Sequence, residues 1–240
     1  MHLKRSLSIS TAVIATSLAP AVAAHAQMLG APVLQSAFTN RGLTVGLDFG
    51  AATDVSTYGS AAAWSPASEK YQFSAGVAYL HQKDVSGTAT YGVRLMVPVL
   101  GHQSPFGVAP FVGMGGANFS GVNDWQIPLG ISAGYRRALG TSGRGVSGYL
   151  SPFYTWARVR ANGQTQTHGL FRVSAGVDVA VLPSVGVTVG YETGANAGEG
   201  EPGATGGSFG LGVSYALHHA RAQEGAAPAS ASAQTPASTP

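Results

Sequence analysis

Large apolar residues alternate with small or polar residues along most of the chain between positions 42 and 217. In the last such segment, GGSFGLGVSYAL, the residues from Ser208 onward place large apolar side chains on one parity and glycine, serine and alanine on the other. A two-residue period places these two sets on opposite faces of a β-strand. About ten such segments follow one another with almost no helical stretch between them. The pattern therefore predicts an all-β fold, an antiparallel up-and-down transmembrane β-barrel.

The predicted strands are 42–50, 57–65, 71–80, 89–99, 106–117, 125–137, 146–159, 169–181, 185–193 and 207–217. Most match the roughly 9–11 residues that a tilted strand needs to cross a bilayer. The second strand is the weakest, because YGSAAAW is poor in β-branched residues, and eight strands are the alternative count. The seventh strand carries aromatics on both parities, Tyr149 and Phe153 against Tyr154 and Trp156, so the pattern leaves its facing open.

Aromatic residues are concentrated near the ends of the predicted strands. The predicted aromatic girdle comprises Phe49, Tyr58, Trp64, Tyr71, Phe73, Tyr79, Tyr91, Phe106, Trp125, Tyr135, Trp156, Phe171, Tyr191, Phe209 and Tyr215. Two aromatic belts around an aliphatic band are typical of membrane interfaces, because Trp and Tyr combine an apolar body with a polar tip. A secreted β-sandwich or a lipocalin-like barrel, the soluble alternatives, would have no reason to sort aromatics by height. The large-residue face is therefore predicted to contact lipid.

Six charged residues within the strands lie on the small-residue parity: Asp48, Arg94, Arg136, Arg172, Asp178 and Glu192. A charge that faces mid-bilayer lipid costs up to about 2–4 kcal/mol, so these side chains are expected to point into the lumen. Three cations and three anions predict a lumen charge network that fills space in a narrow barrel. A charged channel lining is the alternative interpretation.

The two ends of the chain differ in composition from the strand region. Lys4 and Arg5 precede an apolar stretch, and Ala24-His25-Ala26 supplies a small-x-small cleavage site before Gln27, as in an export signal. The last segment is rich in Ala, Pro, Ser and Thr and has no periodicity, which predicts a disordered periplasmic tail. The predicted organisation is a signal peptide at 1–26, an N-terminal lead-in at 27–41, the barrel at 42–217 and the tail at 218–240.

Composition narrows the candidate chemistry. The chain has 34 glycines and no cysteine, which excludes disulfides and cysteine-based metal or nucleophile sites. His218 and His219 have no further ligands beside them, so neither a metal site nor a cofactor is expected. The net charge of +3 falls to near neutral without Lys4 and Arg5, and no nucleic-acid footprint is present.

The connections between predicted strands form two groups. One group, SPASEK, GHQSP, LGTSGRG and LPS, is compact and rich in Pro, Gly and Ser. The other, ATDVS, HQKDVSG, FSGVND, ANGQTQTH and GANAGEGEPGATGG, is on average longer and more polar. Short periplasmic turns and longer outer loops are typical of bacterial barrels, which predicts both termini on the periplasmic side.

The last strand resembles the terminal strand of the small outer-membrane β-barrel proteins of Gram-negative bacteria, the group with OmpA-type barrels and opacity-like adhesins. The resemblance covers roughly residues 42–217, and its most specific positions are Gly210, Leu211, Val213, Tyr215 and Leu217. It implies two partners, outer-membrane lipid and the barrel-insertion machinery. The chain departs from the pattern by continuing beyond this strand.

Candidate catalytic residues near the predicted outer rim are Asp54, His81, Asp84, Asp124 and His168. Some small barrels are enzymes, and an omptin-like protease would need a His-Asp pair and an Asp-Asp pair around a water molecule. Lipid-modifying barrels need a Ser/His/acid set at the same level, and serine is too abundant here to indicate one. No catalysis is expected. The predicted role is structural or surface interaction, the alternative is a narrow passive pore, and the oligomeric state is left open.

Overall fold

The computed structural model describes residues 36–39, 41–52, 55–82, 85–100, 104–119, 122–139, 144–161, 163–196 and 207–217. Within them the chain forms ten antiparallel strands that close into one barrel, so the prediction of an all-β, up-and-down barrel of about ten strands is confirmed. The predicted signal peptide and the predicted tail lie outside the described residues, as do residues 27–35 of the lead-in. No helix in the described part of the chain is long and apolar enough to cross a membrane.

The strands are β1 Gly42–Ala52, β2 Val55–Ser65, β3 Gln72–Gln82, β4 Val85–Met96, β5 Phe106–Phe119, β6 Val122–Ala138, β7 Gly145–Ala161, β8 Gln164–Leu182, β9 Val185–Asn196 and β10 Ser208–Ala216. Each strand pairs with its neighbours in sequence, and β1 closes the barrel by pairing with β10. In that seam Asp48 lies opposite Gly212 and Val45 opposite Tyr215. Closure leaves no strand edge unpaired, which is the condition for a sheet to lie in lipid.

The barrel has two ends that are defined by the chain. β1 begins and β10 ends at the same end, called here the lower end, and the opposite end is called the upper end. The first strand thus runs upward and the last runs downward. An even number of strands requires this arrangement in an up-and-down barrel.

The prediction that the upper connections are on average longer is wrong, because four of the five are tight hairpins. The hairpins β1–β2, β3–β4, β5–β6 and β7–β8 leave only two residues between their strands, whereas β4–β5 at the lower end leaves nine. Residues expected in upper loops, including His81, Asp124 and His168, belong to strands. The polar residues there extend the hairpins beyond the apolar band, where both faces of a strand can be solvated. The connection after Asn196 is the one long upper connection.

The two faces of the strands differ sharply in exposure. In β1, Leu47 is 69% exposed and the next residue, Asp48, is 6% exposed. The same alternation settles the facing of β7, which the sequence pattern leaves open. Tyr149 and Phe153 are buried in the lumen, whereas Tyr154 and Trp156 lie on the outer surface.

The core of the molecule is the interior of the barrel. Its largest apolar cluster consists of Met96, Ala109, Phe111 and Phe153, contributed by β4, β5 and β7. The inward positions of β1, β2, β9 and β10 are mostly glycine, alanine, serine and threonine. Large side chains from one wall therefore occupy space that small residues leave on the other, as in other narrow barrels.

Candidate functional site

The outer surface carries the predicted aromatic girdle. Every residue predicted for it is exposed except Trp125, which is half-buried. Neighbouring rings contact each other at both ends of the barrel, with centroid distances of 5.0–5.9 Å: Phe49–Tyr58 and Trp125–Trp156 toward the upper end, and Trp64–Tyr71 and Phe106–Tyr135 toward the lower end. Between them the surface is aliphatic, with Leu47, Val77, Leu129, Ile131 and Val213 exposed. Tyr154 is a further outward aromatic that the sequence pattern left undecided.

The predicted terminal-strand residues occupy both faces of β10 and its end. Leu211, Val213 and Tyr215 point outward, and Gly210 is buried on the lumen side. Leu217 follows the strand, and its backbone N–H donates a hydrogen bond to the Leu43 carbonyl at 2.8 Å. The strand is thus held in the sheet to its last residue.

The lumen contains a buried ion pair between neighbouring strands. Arg172 on β8 and Glu192 on β9 form a salt bridge, and both side chains are almost fully buried. Glu192 lies opposite Ser174 in the register, one lumen-facing position below Arg172. Of the six charged residues predicted for the lumen, these two are joined to each other as an ion pair.

Arg94 enters the lumen from β4 and contacts neutral groups. Its guanidinium carbon lies 5.3 Å from the centre of the Phe111 ring, a cation–π contact. Its Nη2 lies 4.0 Å from the Met96 Sδ, and its Nε has no hydrogen-bond partner in the described part of the chain. The side chain is 8% exposed, so this guanidinium is buried without a described carboxylate beside it.

Asp48 is the least satisfied acid in the lumen. Its register neighbours are Gly59 on β2 and Gly212 on β10, so it projects from a stretch of wall without side chains. Neither carboxylate oxygen has a hydrogen-bond partner among the described residues. The structure therefore places Asp48 in the lumen but does not join it to a cation.

Asp178 and Arg136 lie near the lower end. Asp178 accepts hydrogen bonds from the Ser147 hydroxyl at 3.1 Å and from the Thr188 hydroxyl at 2.7 Å. Ser36 also hydrogen-bonds this carboxylate. The Arg136 guanidinium carbon lies 5.0 Å from the centre of the Phe38 ring. Both residues thus contact the lead-in segment.

The lead-in segment enters the barrel, which the sequence pattern did not indicate. Ala37 is 1% exposed, and the Phe38 ring packs so closely on Gly107 and Gly134 that a Cβ on either glycine would lie about 3 Å or less from it. Residues 36–39 form no strand and carry no alternation, so periodicity could not find them. The signal available was a lone phenylalanine before the first strand, together with glycines on the lumen parity of β5 and β6.

The middle of the lumen is occupied by Met96, Phe111 and Phe153, called here the aromatic plug. The Phe111 and Phe153 rings lie 6.2 Å apart with planes inclined by 52°. All three side chains are buried. They form the largest apolar cluster of the described lumen, and the Arg94 guanidinium lies against the Phe111 ring and the Met96 Sδ.

Below the plug lies a cavity of about 610 Å³, called here the lower cavity. Its wall includes Ser36 and Phe38 of the lead-in and inward residues of most strands. The charged residues that line it are Arg94, Arg136, Arg137, Arg144 and Asp178. Arg94, Arg136 and Asp178 lie on the lumen parity, whereas Arg137 and Arg144 are exposed at the lower rim.

The candidate catalytic residues do not assemble into an active site. Asp124 is buried on the lumen side and accepts a 2.8 Å hydrogen bond from the Gln126 amide, whereas His81 is exposed on the outward parity. His168 lies on the lumen parity of β8. Asp54 and Asp84 lie outside the described residues. Within the described ranges no group of three or more His, Asp or Glu side chains is placed to hold a metal ion.

Comparison with known proteins gives similarities of fold only. No protein-family model matches the chain, and no curated protein matches it. Among solved structures, KdgM porin is 11% identical over 73% of this chain and 99% of its own, with a TM-score of 0.39. The Neisserial surface protein A is 14% identical over 72% and 93%, with a TM-score of 0.35. The N-terminal β-barrel domain of Pseudomonas aeruginosa OprF is 9% identical over 72% and 95%, with a TM-score of 0.33. Values this low assign neither a family nor a function to the chain.

Proposed function

We propose that the chain is an outer-membrane β-barrel protein whose lumen is closed and whose role is structural or surface interaction. The observation that carries this proposal is the aromatic plug, which occupies the middle of the lumen inside a barrel with an apolar outer surface. A conducting barrel needs a continuous wet path. An apolar cluster of Met96, Phe111 and Phe153 interrupts such a path.

The outer surface supports a membrane location. Its exposed aliphatic side chains would be unfavourable in water, because burial of apolar area is worth roughly 25 cal/mol per Å². The aromatic rows at both ends match the two interfaces of a bilayer. The predicted export signal and the closed sheet agree with transport to an outer membrane, with lipid and the insertion machinery as the partners.

The long hairpins support a surface role. β7 and β8 have 17 and 19 residues, well beyond the roughly 9–11 needed to span a bilayer. Arg158 and Arg160 lie near the upper end of β7, and both are exposed on the outward parity. Charges at such positions are tolerated above the apolar band rather than within it. The upper hairpins therefore project from the membrane and offer a surface to partners.

A narrow passive pore is the second candidate, and the lower cavity favours it. A cavity of about 610 Å³ already occupies part of the lumen. Conduction would require the aromatic plug to move aside. Catalysis is not proposed, because Asp124 is engaged by Gln126 and His81 lies on the opposite face.

Planar-bilayer recordings test closure directly. The purified full-length protein should give no single-channel steps, whereas regular steps would establish the pore.

The membrane location is tested by fractionation and by two single cysteines, Leu129→Cys on the outer surface and Ser132→Cys in the lumen, in a chain without native cysteine. A lipid-soluble maleimide should label only the first in isolated outer membranes. Recovery in a soluble fraction would overturn the membrane assignment.

A further inference from the structure

The lower cavity combines three features of a ligand site. Its volume of about 610 Å³ lies within the range of about 300–1,000 Å³ that is usual for small-molecule pockets. Its wall mixes apolar surface from Phe38, Ala61 and Ala63 with hydroxyl groups from Thr44, Thr188 and Ser214. Its described charged residues are mostly cationic, with Arg94 and Arg136 on the lumen face and Arg137 and Arg144 exposed at the rim, against Asp178.

The single acid in the wall is already engaged. Asp178 accepts hydrogen bonds from Ser147 and Thr188, and Ser36 of the lead-in also contacts it. These are neutral donors, so the acid is held by hydroxyl groups. Asp48, whose carboxylate has no described hydrogen-bond partner, is not among the described residues of the cavity wall.

Arg94 lies at the inner end of the cavity, beside the aromatic plug, and has unused hydrogen-bonding capacity. Among the described residues its Nε has no hydrogen-bond partner, and the contact of its Nη2 is with the Met96 thioether at 4.0 Å. A guanidinium that is 8% exposed and has no anion beside it among the described residues carries a desolvation penalty that an anionic ligand would offset. The planar Nε–Nη edge matches the two oxygens of a carboxylate or phosphate.

A second hydrogen-bond donor without a described partner, the Thr44 hydroxyl, lies in the same row of the sheet as Arg94. The register joins Thr44 to Ala63, Ala63 to Ser74 and Ser74 to Arg94, so these lumen-facing residues form one row across β1 to β4. The Thr44 hydroxyl has no hydrogen-bond partner in the described part of the chain. This wall of the cavity therefore contains two buried donor atoms without a described hydrogen-bond partner, the Thr44 hydroxyl oxygen and the Arg94 Nε.

We propose that the lower cavity is a binding site for a small organic anion that carries a carboxylate or phosphate, with Arg94 as its principal cationic contact. The apolar wall accommodates the body of the ligand, and Arg136, Arg137 and Arg144 attract its charge at the lower end. Ligand binding at this site would be a function in addition to the structural or surface role proposed above. Binding from the lower end needs no passage through the aromatic plug.

Isothermal titration calorimetry of the purified full-length protein in detergent micelles tests this site. The probes are citrate and glucose 6-phosphate, with glucose as the neutral match of the second. At least one anion should bind and glucose should not. The variant Arg94→Met should weaken that binding by about tenfold or more, since a bidentate charge-assisted contact is lost. Arg158→Gln, which changes an exposed arginine near the opposite end, should bind as the unmodified protein does.

Three results would overturn the proposal: no heat with either anion, equal binding of glucose, or unchanged affinity in Arg94→Met. Heat-modifiable migration on gels verifies that each variant forms the barrel. If Arg94→Met does not fold, Arg94→Lys decides the question, because it retains the charge and loses the planar fork. Its affinity should fall, and an unchanged value counts against the site. Conductance plays no part in this readout, so failure of the closed-lumen proposal and failure of the binding site are distinguishable.

Discussion

The rings of Phe111 and Phe153 meet across Gly130. Phe111 on β5 and Phe153 on β7 are both register partners of Gly130 on β6, so the glycine lies directly between them in the sheet. Because Gly130 has no side chain, the two rings approach to 6.2 Å inside the lumen. The plug therefore depends on two large residues and on the absence of a third side chain between them.

Gly130→Ala should destabilise the barrel. A Cβ at this position would lie 2.6 Å from the Pro152 carbonyl oxygen and 2.8 Å from the Phe111 Cζ, and the first of these is backbone that cannot move aside. Overpacking of this kind costs about 1–3 kcal/mol. Urea unfolding in lipid vesicles would measure the loss. The matched control is Gly148→Ala, whose nearest neighbour would be 3.8 Å away and which should be nearly neutral. Equal stability of the two variants would contradict the close approach at Gly130.

Removal of both rings should open the lumen. The double variant Phe111→Ala/Phe153→Ala deletes most of the aromatic plug and joins the lower cavity to the upper lumen. Single-channel steps are expected from this variant in planar bilayers, whereas the unmodified protein is expected to give none. The control Phe106→Ala/Phe209→Ala removes two outward rings and should remain silent. A silent double variant that still forms a barrel would show that other lumen residues close the path.

The buried ion pair should be more sensitive to loss of one partner than of both. Arg172→Met leaves the Glu192 carboxylate buried without its described cation, which costs about 3–5 kcal/mol. Adding Glu192→Met should restore much of that stability, because two apolar side chains of similar length avoid the desolvation penalty. The control is Arg41→Met at the exposed Arg41–Glu69 pair, where about 1 kcal/mol or less is expected. Additive losses in the double variant would rule out coupling between Arg172 and Glu192.

Strand positions and facing follow from local alternation, which is why the ten strands could be predicted. A residue such as Leu129 faces lipid because of its parity, and parity requires no knowledge of the other strands. β7 is different, because Tyr149 and Phe153 fill the lumen while Tyr154 and Trp156 meet lipid. Because both faces of β7 contact apolar surroundings, the strand lacks the alternation of apolar and polar residues that predicts which face meets lipid.

The contents of the lumen could be predicted only in part, because they depend on contacts across the barrel. Parity alone indicates that Asp48 and Arg94 face inward, but the register determines that one lies between glycines and the other beside Phe111. Phe38 belongs to no strand, so no periodicity reports its place against Gly107 and Gly134. The upper hairpins were missed for a related reason, since polar strands outside the lipid lose the apolar face that identifies a strand.

A charge introduced at mid-height on the outer surface should destabilise the barrel according to its depth. Leu129 is 60% exposed in the aliphatic band, and Leu129→Arg should lower the free energy of unfolding in lipid by about 2–4 kcal/mol. The matched control is Leu217→Arg, which places the same side chain on an exposed residue just beyond β10, where the cost near an interface is about 0–1 kcal/mol. Urea unfolding of both variants in vesicles gives the difference. In detergent micelles the difference should shrink, because a micelle deforms around a charge more easily than a bilayer. If Leu129→Arg were as stable as Leu217→Arg in vesicles, the outer surface at Leu129 would not face lipid, and the membrane assignment would fail with it.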